Sequence, residues 1–339
     1  MEDLTQQDAM LRFMPWLAPP QSITVEIMTM CNLQCTHCYL YNSDGATRSV
    51  MEYGRFESIC ERLSLLIPKA SIFNFASVEA LVHPRLFDMI DLVRQANPTI
   101  EIPIYSNGML LTPGKVEKLL ERGIHELHVS LDGCSRETME AFKTGSNFDR
   151  VTGNITAALK EGAGRLRIST VFVAHRSNIH ELPLYVDFCA SLGISSINVT
   201  GFISYNSGMA GEPLYSFEGM PAVEEIFRIS HEKAARAGIR LACPTTRLRE
   251  SSFSCLTCSI LYVTEDGTIS PCNLLARPTT LCWKKQVTTT QPISYGSIFS
   301  TPVEELWNAP GYALFRKLFH NGALPQPCRH CPMAYGVIC

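Results

Sequence analysis

Between residues 23 and 240 the chain alternates six times between a short apolar run and a longer amphipathic one, and few folds accept that pattern. The strand-like runs cover 23–28, 71–75, 101–105, 124–131, 166–174 and 194–200. Helical spacing separates them. In 53–67, Phe56, Ile59, Leu63 and Leu66 share one face and Pro68 stops the run. In 85–96, Leu86, Met89, Ile90 and Val93 do the same. Thr112-Pro113 opens a third helix as cap and first-turn proline, and Gly123 closes it. Stretches 150–161, 181–192 and 221–237 follow, the last two ended by Gly193 and Gly238. Strand–helix units in series predict a parallel sheet with right-handed crossovers. Six units are too few to close an eight-fold barrel. The expected fold is therefore α/β, a curved partial (β/α)6 barrel with its chemistry at the C-terminal ends of the strands.

Just past the first strand lies Cys31-Asn32-Leu33-Gln34-Cys35-Thr36-His37-Cys38, a C-x3-C-x2-C loop. Three thiolates this close suit three irons of a [4Fe–4S] cube and leave the fourth iron open to a small chelating ligand. A structural zinc site normally draws four ligands from two separate pairs, and the fourth is missing locally. At these residues the chain resembles the radical SAM superfamily: a strand, the three cysteines with an aromatic residue (His37) before the last, then Tyr39. The resemblance implies a TIM-like partial barrel and a [4Fe–4S] cluster on Cys31, Cys35 and Cys38 that chelates S-adenosylmethionine. It also implies reductive cleavage to a 5′-deoxyadenosyl radical, hydrogen abstraction from a substrate, and an electron donor such as flavodoxin or ferredoxin.

The same resemblance nominates cofactor-binding residues beyond His37 and Tyr39. The family's Gly-Gly-Glu-Pro after the second strand aligns with Ala76-Ser77-Val78-Glu79-Ala80. Glu79 fits, but Ser77 and Val78 replace the glycines that allow close backbone approach to a ligand. Tyr105-Ser106-Asn107-Gly108 resembles Thr-Asn-Gly and points to Asn107, which is also ordinary turn chemistry. Ser130-Leu131-Asp132-Gly133 resembles Ser-φ-Asp-Gly and points to Ser130, with Asp132 free to cap a turn. Thr170 on the fifth strand completes the set, although β-propensity alone accounts for a strand threonine. Glu26 and Arg167 would bind substrate or methionine if they face the barrel interior. His125 and His128 face opposite ways on one strand and read as packing or surface residues. Cys60 and Cys189 lie on apolar helix faces as small buried hydrophobes.

From about residue 241 helical periodicity fades and cysteines crowd in, which puts a boundary near 240; residues 1–22 form an N-terminal arm. The tail carries Cys255-x2-Cys258, Cys272 five residues after Gly267, Cys328-x2-Cys331 and Cys339. Between the first cysteines, 263–270 reads as a β-hairpin with an Asp-Gly turn. Residues 243–339 resemble the SPASM/twitch extension, which implies auxiliary [4Fe–4S] chemistry. Two fully ligated cubes need eight cysteines and the tail offers six, so one auxiliary cluster is expected. A second would need open or non-cysteine ligation. Cys-x2-Cys pairs are also usual zinc ligands. Cys134, Cys243 and Cys282 stay unassigned; each is a core or surface thiol or, as in some radical enzymes, a hydrogen-atom donor.

Composition narrows the rest. The chain has 14 cysteines and no charged segment followed by an apolar run at its start, which reads as metal binding in a reducing cytoplasm. A net charge of −3 without a basic cluster argues against nucleic acid. No apolar run approaches the roughly 20 residues of a membrane span. The 22-residue arm is too short for the peptide-binding domain that peptide maturases of this family often carry. The expected substrate is therefore a small polar one: a sugar, aminocyclitol or nucleoside undergoing dehydrogenation, dehydration, decarboxylation or epimerisation. Peptide maturation is the alternative within the family. A non-enzymatic iron–sulfur or zinc protein is the alternative outside it.

Overall fold

The computed structural model describes residues 14–42, 48–76, 79–284 and 286–337. Ser77, Val78 and Cys339 lie outside the described residues. In chain order the barrel segment runs β1 (Ser22–Glu26), β2 (Gln34–Cys35), α1 (Tyr53–Arg62), β3 (Ile72–Ala76), α2 (Leu86–Ala96), β4 (Ile104–Ser106) and α3 (Pro113–Glu121). It continues with β5 (Glu126–Ser130), α4 (Arg136–Phe142), β6 (Lys143–Thr144), α5 (Phe148–Gly162), β7 (Arg167–Ala174), α6 (Leu182–Ser191), β8 (Ser196–Gly201), α7 (Pro221–Ala237) and β9 (Arg240–Ala242). The tail adds β10 (Ile260–Val263), β11 (Ile269–Ser270), β12 (Thr280–Trp283), β13 (Gln286–Thr289), α8 (Val303–Trp307) and α9 (Pro310–His320).

Strands β4-β5-β7-β8-β9 pair in that order, all parallel. A second sheet, β11-β10-β1-β3, is parallel from β10 to β3. A bridge between Ile72 and Glu101 joins the two just ahead of β4. The outcome is the curved parallel sheet expected from the six alternations, with β9 as a further strand. Alternation sets its two faces. Ile23 and Val25 of β1 and Phe73 and Phe75 of β3 are buried outward, where Phe56 of α1 meets both phenylalanine rings at 6.1 and 5.8 Å. Ser22, Thr24 and Glu26 face the other way, where Asn74 Nδ2 donates to Ser22 Oγ at 3.0 Å.

The tail hairpin forms where expected, with Tyr262 opposite Ser270 and Gly267 at φ +82° in its turn. What the sequence did not show is its neighbour. Strand β10 lies parallel to β1, Ser22 beside Ile260 and Val25 beside Val263. The cysteine-rich tail therefore extends the barrel sheet instead of standing beside it.

Candidate active site

The cysteine loop is held on two sides. Leu33 is buried in the core, and β2 pairs antiparallel with β6, Gln34 opposite Thr144 and Cys35 opposite Lys143. Thr36 N donates to Phe142 O at 3.0 Å. The loop's three thiols, Cys31, Cys35 and Cys38, are unpaired and line one cavity of about 460 Å3. Its other walls include Tyr105 and Asn107 from the end of β4, His128 and Ser130 from β5, Gln34 of β2 and Lys143 of β6. Burial pushes the Cys35 thiol up to about 12, against the pull of Lys143; burial also raises Cys31 and Cys38. Three half-buried thiols lining one cavity fit a metal cluster, because ligation is what deprotonates such thiols.

Glu79 is fully buried and holds the end of β4. It accepts from Asn107 N at 2.6 Å, from Ser106 Oγ at 3.0 Å and from Leu81 N at 3.2 Å. Burial raises its pKa, and these donors oppose the rise. The Asn107 side chain then reaches the loop, with Nδ2 donating to Asn32 Oδ1 at 2.9 Å and lying 3.7 Å from Cys31 Sγ.

On the opposite wall Lys143 is 2% exposed. Its ammonium donates to Ser130 O at 2.6 Å and Ser130 Oγ at 2.7 Å and sits 3.2 Å from Asp132 Oδ2. Two of its N–H donors are thus engaged by Ser130, and its charge faces Asp132. Because Ser130 Oγ accepts from lysine, its own proton is left to point elsewhere. Asp132 also accepts from Val173 N at 2.9 Å. Burial would raise its carboxyl, and the Lys143 ammonium, with the Val173 N–H, more than offsets that, holding it below the usual range. His37 lines the cavity 3.7 Å from Asp132; burial lowers it to about 4, so the ring is neutral.

The structure thus brings His37, Asn107 and Ser130 to the three cysteines, with Glu79 behind them. Tyr39 turns away, its ring 6.2 Å from Tyr205 in a cluster with Ile203, Leu274 and Leu281. Thr170 faces α6, 3.8 Å from Cys189 Sγ. None of the proposed hydrogen-atom donors lines the cavity. Cys134 N donates to Glu181 at 2.9 Å, Cys282 is buried on β12, and Cys243 packs on the core after β9. Glu26 does point inward, accepting from Arg277 Nη2 at 2.6 Å and from Tyr262 OH at 3.2 Å. Arg167 pairs with Glu126 at 3.4 Å and is largely exposed. His125 Nδ1 lies 3.2 Å from Arg165 O.

Sequence reasoning missed Lys143, Tyr105 and His128. The last two stack at 4.7 Å, and His128 Nδ1 lies 2.6 Å from Ser169 Oγ. Alternation along β5 puts His128 on the same face as Ser130 and could have found it. Lys143 had no local signal, since its two-residue strand has no periodicity.

In the tail, Cys255, Cys272, Cys328 and Cys331 line a second pocket with Leu274, Leu281, Phe315, Phe319 and Met333. Cys258 is close enough that Cys255 adds to the burial that pushes its thiol up to about 12. Cys331 reaches about 12 for the same reasons. Among the described residues no three donors close on a single point, as one metal ion requires. Four of the thiols line one largely apolar space, a donor set that suits an iron–sulfur cluster.

Comparison with known proteins matches residues 25–189 to the radical SAM superfamily and residues 255–332 to an iron-sulfur cluster-binding domain, SPASM. The chain is 22% identical over 320 residues to the tungsten-containing aldehyde ferredoxin oxidoreductase cofactor-modifying protein of Pyrococcus furiosus, covering 91% of this chain and 86% of that one. It is 25% identical over 339 residues to the AdoMet-dependent heme synthase of Methanosarcina barkeri, covering 92% and 88%. Among solved structures it is similar to Streptococcus suis SuiB bound to precursor peptide SuiA, with a TM-score of 0.68 and 15% identity. That match covers 92% of this chain and 70% of SuiB.

Proposed function

The chain belongs to the radical SAM superfamily and carries an SPASM iron–sulfur domain, and on that premise we propose that it abstracts a hydrogen atom from a small polar substrate bound beside Cys31, Cys35 and Cys38. The observation that carries this reading is the single 460 Å3 cavity that holds the three thiols, Asn107 and Ser130 at the strand ends. Its size is that of a small-molecule site. When bound, the cluster and S-adenosylmethionine supply one-electron sulfonium cleavage and hydrogen abstraction.

The chain's own residues do the rest. Glu79 fixes the Ser106-Asn107 backbone, and Asn107 braces the loop beside Cys31. Lys143 holds Ser130 Oγ as an acceptor, which aims the hydroxyl proton into the cavity at a carboxylate or hydroxyl of the cofactor. Neutral His37 packs the cavity wall without adding charge. His128 and Tyr105 offer a polar, stacked wall to substrate. A flavodoxin- or ferredoxin-type protein is the electron donor in this reading. No helix among the described residues is long and apolar enough to cross a membrane.

A peptide substrate is the second reading. It is favoured by the fold shared with SuiB, which was solved with a precursor peptide bound. Anaerobically reconstituted protein with dithionite should form 5′-deoxyadenosine, and Cys35→Ala should abolish it. Deuterium appearing in 5′-deoxyadenosine from labelled sugars, aminocyclitols or nucleosides supports the first reading. Transfer only from labelled peptides replaces it with the second, and no cleavage of S-adenosylmethionine removes both.

A further inference from the structure

Arg316 on α9 is wholly buried, and no carboxylate among the described residues pairs with it. Its Nε donates to Trp16 O at 2.8 Å. Its guanidinium carbon lies 3.8 Å from the Trp307 centroid and 4.6 Å from that of Tyr312, two rings set nearly perpendicular to each other. Both Nη nitrogens are buried with no hydrogen-bond partner among the described residues. Arginine stays charged at any physiological pH. A guanidinium removed from water needs an anion or a full set of acceptors, and two aromatic faces supply only part of that.

What lies beside it is the cysteine pocket. Phe315 and Phe319, on the same helix, form part of its wall. Helix α9 packs against the 256–259 turn that holds Cys258, and the Arg316 charge works against the burial that pushes that thiol up. Tyr312 OH is occupied by Ile260 O at 3.2 Å and Tyr295 stacks on Tyr312 at 4.3 Å, so these rings bring no negative charge. A [4Fe–4S] core held by thiolates is an anion, and it gains one more negative charge on reduction.

We propose that Arg316 is the built-in counter-ion of the auxiliary cluster, a positioning residue that stabilises the reduced form and so raises the cluster's reduction potential. The inference rests on reading Cys255, Cys258, Cys272, Cys328 and Cys331 as the ligand pool. It also explains why α9 carries a charged residue on a face otherwise made of Tyr312, Phe315 and Phe319. The electron reaches the cluster from an external reductant, one per cluster, and Arg316 neither gains nor loses a proton in the step.

The test is an EPR-monitored potentiometric titration with dithionite on reconstituted protein. Arg316→Gln should shift the auxiliary couple downward by at least a tenfold change in equilibrium constant, about 59 mV for one electron. Arg316→Lys should keep most of the wild-type value, and the cluster at Cys31, Cys35 and Cys38 should not move in either variant. An unchanged auxiliary potential in a folded Arg316→Gln protein overturns the proposal. If neither variant folds, wild-type protein labelled with 15N-arginine decides: nitrogen coupling to the reduced auxiliary cluster by ENDOR supports the contact, and its absence overturns it. Zinc in the tail and no second iron–sulfur signal would remove the ligand reading itself, an outcome separate from an unchanged potential.

Discussion

Lys143 and Asp132 face each other at 3.2 Å with almost no solvent on either side chain. Such pairs cost desolvation on both partners, and breaking one strands a buried charge. Lys143→Met should therefore destabilise the cluster-free protein by about 3–5 kcal/mol near pH 7. The pH dependence has a definite sign. In the wild type the Asp132 carboxyl is held below its ordinary value, so its contribution is complete above about pH 4 and fades as pH falls through the lower folded value. Without Lys143 burial dominates and raises that value, so the variant loses stability as pH rises. Urea unfolding at pH 4 and pH 7 should show the larger deficit at pH 7; a larger deficit at pH 4 would contradict the pairing. Glu79→Gln makes the companion case. An amide that offers N–H to Asn107 N or Leu81 N loses a buried bond, costing about 1–3 kcal/mol, and S-adenosylmethionine should bind about tenfold more weakly by calorimetry. Ser130 and Asn107 were legible from motifs because short strand-end loops carry their chemistry locally. Lys143 was not, because its role comes from a partner strand at Gln34–Cys35.

At the scale of elements, the β10–β11 hairpin is where tail and barrel become one sheet. Its turn depends on Gly267, whose φ of +82° few side chains tolerate and whose added Cβ would strike the Phe299 ring. Gly267→Ala should cost about 1–3 kcal/mol, read as a lower Tm. A chain ended after Ala242 leaves the β1 edge without β10 and should bind ANS strongly and unfold without cooperativity. A sharp, two-state transition in that shortened chain would show that the barrel stands without its tail. Five of the six main strands, and the helices, were legible because each spans enough residues to show its period, whereas β4 has three residues. Helix α4 and strand β6 are too short for that, and β9 has three residues. The hairpin was visible from Asp266-Gly267, but a turn says nothing about which distant strand its first arm will join.

For the whole molecule the question is how much iron it holds. Two [4Fe–4S] sites predict about eight irons per chain after anaerobic reconstitution. Replacing Cys31, Cys35 and Cys38 with alanine should leave about four, all in the tail. Replacing Cys272 and Cys328 should also leave about four, and that protein should still cleave S-adenosylmethionine. Near twelve irons in the wild type would require a third cube with ligands beyond the tail cysteines described.

The sequence by itself determined the periodic elements, the three-cysteine loop and the cysteine spacing of the tail, because period and spacing are properties of neighbouring residues. Tertiary structure decided which side chains meet. It turned Tyr39 and Thr170 away from the cavity that both were expected to share. It set Lys143 against Ser130 and Asp132, laid β10 on β1, and buried Arg316 against Trp307 and Tyr312. Each of these joins residues that no local period links. Burial and charge compensation select such contacts, and both exist only once the sheet has closed around them.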